Sequence, residues 1–376
     1  MSVSQPSSDH AASAAHAPPR PTASWPALAY AYLTLTKPRI MTLLLITTLA
    51  AVLIAARQHP LPPPVFVRIP ASTLLGGALA AGGAAALNCY IDRDIDAVMA
   101  RTRGRALPTG VVQPRQVLLF GLALTALGAV TLLAGPTPLA AALALFGSFY
   151  YVVIYTLWLK RSTTQNIDIG GGAGAVPPLV GWAAVTGGVA WPAVLLFVIV
   201  VAWTPAHFWS LALIHRTEYA AVNVPMLPAV AGEQVTKWRI VGYTVLVVAC
   251  SLALYAIHAM GPLYLAAALA LGLGFIYMAV TLLRGRQAFG QARRTFTYSN
   301  VYLALLFGAM VLDRLLPRHG RADRMPLHLD GTPENADRRS VGRERERSGA
   351  ARREAPDGER KGTGGRGAAS IGARGQ

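Results

Sequence analysis

Asn88, Asp92 and Asp96, each four residues from the next, head a stretch that reads LNCYIDRDIDAVMARTRGRALP. On an α-helix each step of four advances by about 40°, so the three share one face and Asp94 points elsewhere. Two carboxylates at the mouth of an apolar helix are costly unless a cation sits between them. Mg²⁺ meets that demand, because it takes one or two carboxylates and completes its shell with water and phosphate oxygens. Arg101, Arg103 and Arg105 follow, and guanidinium groups grip phosphate through paired N–H donors. The pattern points to a diphosphate site at a membrane surface. The alternative is a polar helix end that runs into a basic loop.

Other polar segments could complete such a site. Lys37-Pro38-Arg39 precedes the first apolar run, where it serves either phosphate contact or anchoring by positive charge. In YTLWLKRSTTQNIDIGGG, Lys160 and Arg161 can neutralise a leaving diphosphate, and Thr163 and Asn166 can orient it. Asp168 opens a glycine-rich segment, where a carboxylate also suits a helix N-terminus for purely structural reasons. His207 lies in an apolar run beside Phe208 and Trp209; it is either a satisfied core histidine or a group for metal binding or proton transfer. Glu218 is the natural second acidic partner for a metal held by Asp92 and Asp96, its alternative being a lone surface carboxylate.

The elements that must position these groups are membrane helices. Of 376 residues 53% are apolar and only 14% charged, and the mean hydropathy is +0.42. Apolar runs near the length a bilayer demands recur along the chain. They fall at about 39–56, 72–91, 116–134, 138–157, 168–186, 191–213, 239–259, 262–283 and 297–316. The fifth, with Gly170, Gly171, Gly172, Gly174, Pro177 and Pro178, is expected to be a broken helix that packs closely or lines a cavity.

With the N-terminus in the cytoplasm, the N-terminal flank and the loops after spans two, four, six and eight place Arg20, Lys37, Arg39, Arg93, Arg101, Arg103, Arg105, Arg115, Lys160, Arg161, Arg216, Lys237, Arg239, Arg284, Arg286, Arg293 and Arg294 inside. The outer loops then carry only Arg57 and Arg68. That asymmetry supports the assignment, and it gathers every strong polar motif on the cytoplasmic side. Nine spans leave Arg314 and the basic residues after it outside; eight spans would return the tail inside.

Residues 1–24, rich in Ala, Ser, Pro and His, and the charged tail 318–376 are expected to be disordered, flanking one membrane domain at 25–317. Cys89 and Cys250 both fall in apolar runs, so no disulfide framework is indicated. The net charge of +17 reflects topology and phosphate handling, since no basic–aromatic nucleic-acid module appears.

Taken in order, LTKPRI (Leu35–Ile40), NxxxDxxxD (Asn88–Asp96), MxRTxxR (Met99–Arg105), YTxxLKRxTxxN (Tyr155–Asn166), GAxPPLxGW (Gly174–Trp182), HFWxLAL (His207–Leu213) and PMLP (Pro225–Pro228) closely resemble the protoheme IX farnesyltransferases. These are a family within the UbiA-type intramembrane prenyltransferases, and the resemblance covers about residues 33–305. It implies an all-α, polytopic bundle of about nine transmembrane helices around a cavity open toward the cytoplasmic side and the membrane. It also implies transfer of a farnesyl group from farnesyl diphosphate to heme B, with Mg²⁺ as cofactor. The cell inner membrane would be its place, and heme A synthase or a terminal oxidase would receive the product.

Carried over by motif, Asp92 and Asp96 hold the metal–diphosphate with Asn88, and Arg101, Arg105, Lys160 and Arg161 answer its charge. His207 is a candidate for heme contact. Glu218 departs from the family's aspartate by one methylene. Another aromatic prenyltransferase, or a non-enzymatic heme or isoprenoid carrier, remains the alternative that these residues must be tested against.

Overall fold

The computed structural model describes residues 24–285 and 288–316, so the expectations for 1–23 and for the tail lie outside the described residues. Every regular element among them is helical. The order is α1 (Trp25–Leu35), α2 (Pro38–Gln58), α3 (Pro63–Ile91), α4 (Arg93–Val98), α5 (Pro114–Ala134) and α6 (Pro138–Phe149). A π-helical segment (Tyr150–Leu159) then runs without interruption into α7 (Lys160–Ser162). After it come α8 (Asn166–Gly170), α9 (Gly172–Thr186), α10 (Trp191–Ile214), α11 (Arg216–Ala221) and α12 (Leu227–Val230). α13 (Gly232–Ala256), α14 (Pro262–Arg284) and α15 (Ala288–Leu315) complete the described chain.

The helix starts follow from local chemistry. Pro38, Pro63, Pro114, Pro138 and Pro262 each open a helix, where the missing N–H would have had no partner and φ is already set. Thr137 also caps α6 by accepting from the Ala140 amide at 3.1 Å. Gly187 closes α9 in the left-handed conformation, with φ of 70°.

Eight helices among the described residues are long and apolar enough to cross a membrane, which makes this a multi-pass membrane protein. The ninth, shorter crossing is the α8–α9 pair; it breaks at Gly171, whereas Pro177 and Pro178, the expected kink, lie inside α9. Three contacts along the antiparallel helix of residues 138–162 show its extent. The Thr137 hydroxyl donates to the Ala183 carbonyl at 3.0 Å. A Cβ on Gly147 would lie 3.2 Å from Val176, and one on Gly170 would lie 2.3 Å from the Tyr155 ring. The pair therefore travels the full length of its neighbour, and Ser24 and Leu316 lie at opposite ends of the bundle.

Close backbone approach sets the packing. α3 and α5 meet through Gly76, Gly83, Gly121 and Gly128: a Cβ at Gly128 would stand 2.6 Å from the Ala80 amide nitrogen. Small residues let membrane helices gain dispersion contacts that lipid cannot offer. α10, α13, α14 and α15 form a four-helix unit with fully buried Tyr264, Phe275, Tyr302 and Phe307. At its end remote from Lys37, the Asp313 carboxylate accepts from the amides of Gly261 and Tyr264 and caps α14. Arg314 donates there to the Ala259 carbonyl, which gives that arginine a partner on the side poor in basic residues.

Nine crossings have a direct consequence. Cysteines introduced singly at Arg103 and Leu316 are expected to react with a membrane-impermeant maleimide from opposite faces of oriented vesicles; labelling from one face would remove the α8–α9 crossing.

Candidate active site

The acidic stretch does not sit on one continuous helix. α3 ends at Ile91, Asp92 takes φ −83° and ψ 10° as the hinge, and α4 resumes at Arg93. The four-residue phase survives, because the Asp92 amide donates to the Asn88 carbonyl at 2.9 Å and the Asp96 amide to the Asp92 carbonyl at 2.8 Å. All three side chains are buried, with Asp92 only 2% and Asp96 5% exposed. Ionised carboxylates at that depth require partners.

The partners come from four separate segments. Lys160 Nζ donates to Asp92 Oδ2 at 2.5 Å, and the Arg161 guanidinium reaches Asp92 Oδ1 at 3.5 Å. Arg105 donates to Asp96 Oδ2 at 2.7 Å. The Asn88 amide donates to Asp92 Oδ2 at 2.7 Å and to Thr156 Oγ1 at 3.0 Å. Its carbonyl oxygen accepts from Lys37 Nζ at 2.5 Å, and that ammonium also lies 3.5 Å from the Tyr151 hydroxyl. Lys37 adopts the left-handed conformation, with φ of 54°. A lysine held there is strained, and such strain persists where side-chain contacts over-determine it.

The π-helical segment explains how Lys160 arrives. Thr156 Oγ1 donates to the Tyr151 carbonyl five residues back, at 2.8 Å, in keeping with the wide π turn. One inserted residue rotates everything after it, so Thr156 faces Asn88 and Lys160 faces Asp92. Single π turns within helices recur at functional sites. Tyr151 and Tyr155 stack with ring centroids 5.8 Å apart. The Tyr155 ring occupies space that a Cβ on Gly170 would fill, which gives that glycine a reason beyond flexibility.

Several expected residues are placed otherwise than the spacing suggested. Asp94 is not idle: it holds Arg161 through both oxygens, at 2.7 and 2.8 Å. That bonding draws the Asp94 carboxyl down to about 2, against a smaller opposing effect of burial. Glu218 does not join Asp92 and Asp96 in one ligand set. It accepts from the Arg101 amide at 3.4 Å and pairs with His215 Nδ1 at 3.0 Å. Burial pushes its carboxyl up, but these contacts outweigh burial and leave it lowered. Among the described residues no three His, Cys, Asp or Glu side chains are grouped to hold a metal.

Asn166 is fully buried, and its amide donates to the carbonyls of Thr163 and, at 3.5 Å, Pro225. It ties the loop after α7 to the PMLP segment, while its side-chain oxygen has no hydrogen-bond partner among the described residues. Arg39 is exposed and makes no contact with the cluster. Asp168 accepts from the Tyr243 hydroxyl at 2.6 Å, a structural use. Arg101 donates to the Tyr219 hydroxyl at 3.1 Å and lies over that ring.

His207 lies away from the carboxylates, stacked between Trp203 and Phe296 at centroid distances of 4.2 and 4.6 Å. Its Nδ1 is 2.7 Å from Ser299 Oγ. The Ser299 proton goes to the Phe296 carbonyl, so Ser299 accepts and Nδ1 carries the ring proton. The lone pair is then on Nε2, which has no protein partner among the described residues and is not sealed off.

Among the described residues neither the Lys37 ammonium nor the Arg101 guanidinium forms an ion pair with a carboxylate, and two buried carboxylates lie nearby. The donor set suits Mg²⁺. Asp92 and Asp96 supply hard oxygen ligands one turn apart, and Mg²⁺ uses one or two carboxylates when phosphate completes its shell. Lys160 and Arg105 neutralise the same two carboxylates in this structure.

The UbiA prenyltransferase family profile matches residues 44–301. A protoheme IX farnesyltransferase of Gloeobacter violaceus is 52% identical over 284 residues, 76% of this chain and 92% of that protein. One from Synechococcus elongatus is 52% identical over 76% of this chain and 88% of its own. A solved digeranylgeranylglyceryl phosphate synthase superposes with a TM-score of 0.63 at 19% identity, covering 77% of this chain and 99% of its own. A UbiA homologue from Archaeoglobus fulgidus bound to GPP and Mg²⁺ gives 0.54 at 14% identity, covering 74% and 99%. These two show the shared fold.

The ion pairs predict distinct costs. Asp92→Asn strands the buried Lys160 ammonium and is expected to destabilise by about 3 kcal/mol. Asp94→Asn removes an exposed pair and is expected to cost less than about 1 kcal/mol. Because the Asp94 carboxyl is depressed, its small contribution is complete above about pH 4 and is lost as pH falls toward 2. Thermal unfolding in detergent at neutral pH measures the first two, and equal shifts would contradict the burial argument.

Proposed function

The chain belongs to the UbiA prenyltransferase family, among its protoheme IX farnesyltransferases, and we propose from that premise that the buried Asn88–Asp92–Asp96 cluster is its farnesyl diphosphate site. The reaction transfers the farnesyl group to a vinyl group of heme B. The allylic C–O bond breaks and diphosphate departs with the electron pair. The vinyl π pair forms the new C–C bond, water captures the cation left on the acceptor, and a proton is lost. The products are heme O and diphosphate.

The observation that carries this reading is the mismatch of charge at the cluster. Among the described residues Lys37 and the Arg101 guanidinium form no ion pair, while Lys160 and Arg105 are spent on Asp92 and Asp96. An incoming diphosphate supplies the anionic charge that the cluster lacks. Mg²⁺, when held by Asp92 and Asp96, would supply Lewis-acid stabilisation of the leaving group. The chain's own groups do the rest. Lys37 and Arg101 answer the charge that develops on the departing oxygens, fixed in place before the bond breaks. Asn88, oriented by Thr156, sets the position of Lys37. Arg161, steered by Asp94, closes the outer side. Tyr151, Tyr155 and Tyr219 present an aromatic wall that limits water near the allylic carbon.

His207 is our candidate for porphyrin contact, because its aromatic sandwich and accessible Nε2 suit a flat ligand with a Lewis-acidic centre. Placement in a bacterial inner membrane, with the cluster facing the cytoplasm, is supported by the basic residues gathered at that end. Delivery of the product to heme A synthase or a terminal oxidase is consistent with that location.

Purified protein with heme B, farnesyl diphosphate and Mg²⁺ is expected to yield a porphyrin heavier by a farnesyl and a hydroxyl group, and chelation is expected to stop it. An unmodified porphyrin that still binds would favour a carrier; transfer only to a simple aromatic acceptor would favour a different prenyltransferase. His207→Ala is expected to raise KM for heme while leaving KM for farnesyl diphosphate unchanged. A rise confined to farnesyl diphosphate would move His207 out of the heme site.

A further inference from the structure

α15 has two unlike faces. Thr295, Ser299, Tyr302, Leu306 and Met310 are buried against the rest of the four-helix unit. On the reverse side Gly290, Arg293, Arg294, Thr297 and Val301 form a continuous exposed stripe, spaced three to four residues apart as one helical face demands. This stripe and Met278 of α14 bound a groove of about 490 Å³. Arg293 and Arg294 sit within two turns of the helix start, at the same end of the bundle as Lys37 and Asp92. Among the described residues neither guanidinium has a hydrogen bond or a carboxylate partner. Six other cations at this end, Arg105, Lys160, Arg161, Arg216, Lys237 and Arg239, pair with acids instead.

We propose that this groove binds one anionic phospholipid, its phosphate held by Arg293 and Arg294 and one acyl chain lying over Val301 and Met278. The shape follows the chemistry of such a lipid. Eight residues of helix separate Arg293 from Val301, a drop of about 12 Å from the charged end toward the bilayer interior. Paired guanidinium groups recognise a phosphate diester, and basic pockets between transmembrane helices are suited to anionic headgroups. A choline headgroup brings its own cation to the same arginines and is disfavoured. Free phosphate fills only the upper end of the groove and leaves the apolar floor uncovered.

The proposal is independent of the farnesyl-transfer reading, since none of these residues touches the acidic cluster. It is tested on the purified full chain by native mass spectrometry. The protein is delipidated and then offered equal amounts of dioleoyl phosphatidylglycerol and dioleoyl phosphatidylcholine. The chain is expected to retain one phosphatidylglycerol in preference. Arg293→Gln/Arg294→Gln is expected to lower that retention by about tenfold, whereas Arg115→Gln, an exposed arginine elsewhere at the same end, is expected to leave it unchanged. Thr297→Trp fills the groove while keeping both arginines, and it is expected to lower retention as well. Added inorganic phosphate is expected not to displace the lipid. Equal retention of both lipids, equal losses in Arg115→Gln, wild-type retention in Thr297→Trp, or displacement by phosphate would each overturn the site. All four positions are exposed, so melting temperatures of the lipid-free variants are expected to match wild type.

Discussion

Two carboxylates buried at the end of a membrane helix must be neutralised, and most of what is distinctive in this structure answers that demand. Asp92 and Asp96 draw Lys160, Arg161 and Arg105 to one point from segments far apart in sequence. An exposed ion pair would gain little from such an arrangement, but a buried carboxylate left alone costs several kcal/mol. The same demand accounts for local departures from regular geometry. α3 breaks at Asp92, the helix before Lys160 opens into a π segment, and Lys37 is held in a left-handed conformation. Each departure aims a polar group at the cluster.

The rest of the bundle supplies the rigidity that such aiming requires. Backbone contact between α3 and α5 fixes the end of α3, and Gly170 admits the Tyr155 ring beside the π segment. α9 runs against α2, where a Cβ on Gly181 would meet the Thr48 carbonyl at 2.3 Å. Small residues thus set the positions of long polar ones. Charge that is compensated in advance by groups already in place needs no reorganisation when a leaving group develops its own charge.

Much of this was legible in the sequence. The four-residue spacing of Asn88, Asp92 and Asp96, the basic runs after α4 and at Lys160–Arg161, and the broken glycine-rich span all have local signatures. Eight of the crossings followed from hydropathy; the break in the glycine-rich span was expected, but it falls at Gly171 and not at Pro177 and Pro178, which lie inside α9. What could not be read depends on partners distant in the chain. Thr156 looks like any span threonine until Asn88 lies opposite it. Asp94 was set aside on helical phase, yet it secures Arg161, because a residue on the far face can still meet a side chain from another segment. Asn166 and Glu218 have the right chemistry for phosphate and metal, but their contacts with Thr163, Pro225, Arg101 and His215 come from tertiary structure that spacing does not reveal. The π segment has no sequence signal of its own, and the tautomer of His207 rests on a serine in α15.

The central claim is that the carboxylates are compensated by protein cations until metal and diphosphate arrive together. Calorimetric titration of Mg²⁺ into the purified chain, with and without a non-reactive farnesyl diphosphate analogue, tests it most directly. Mg²⁺ alone must displace Lys160 and Arg105 and is expected to bind weakly. With the analogue present those cations have phosphate to turn to, and Mg²⁺ affinity is expected to rise by about a hundredfold, within the range of ordinary site–site coupling. Equal Mg²⁺ affinity in the two titrations would contradict the account.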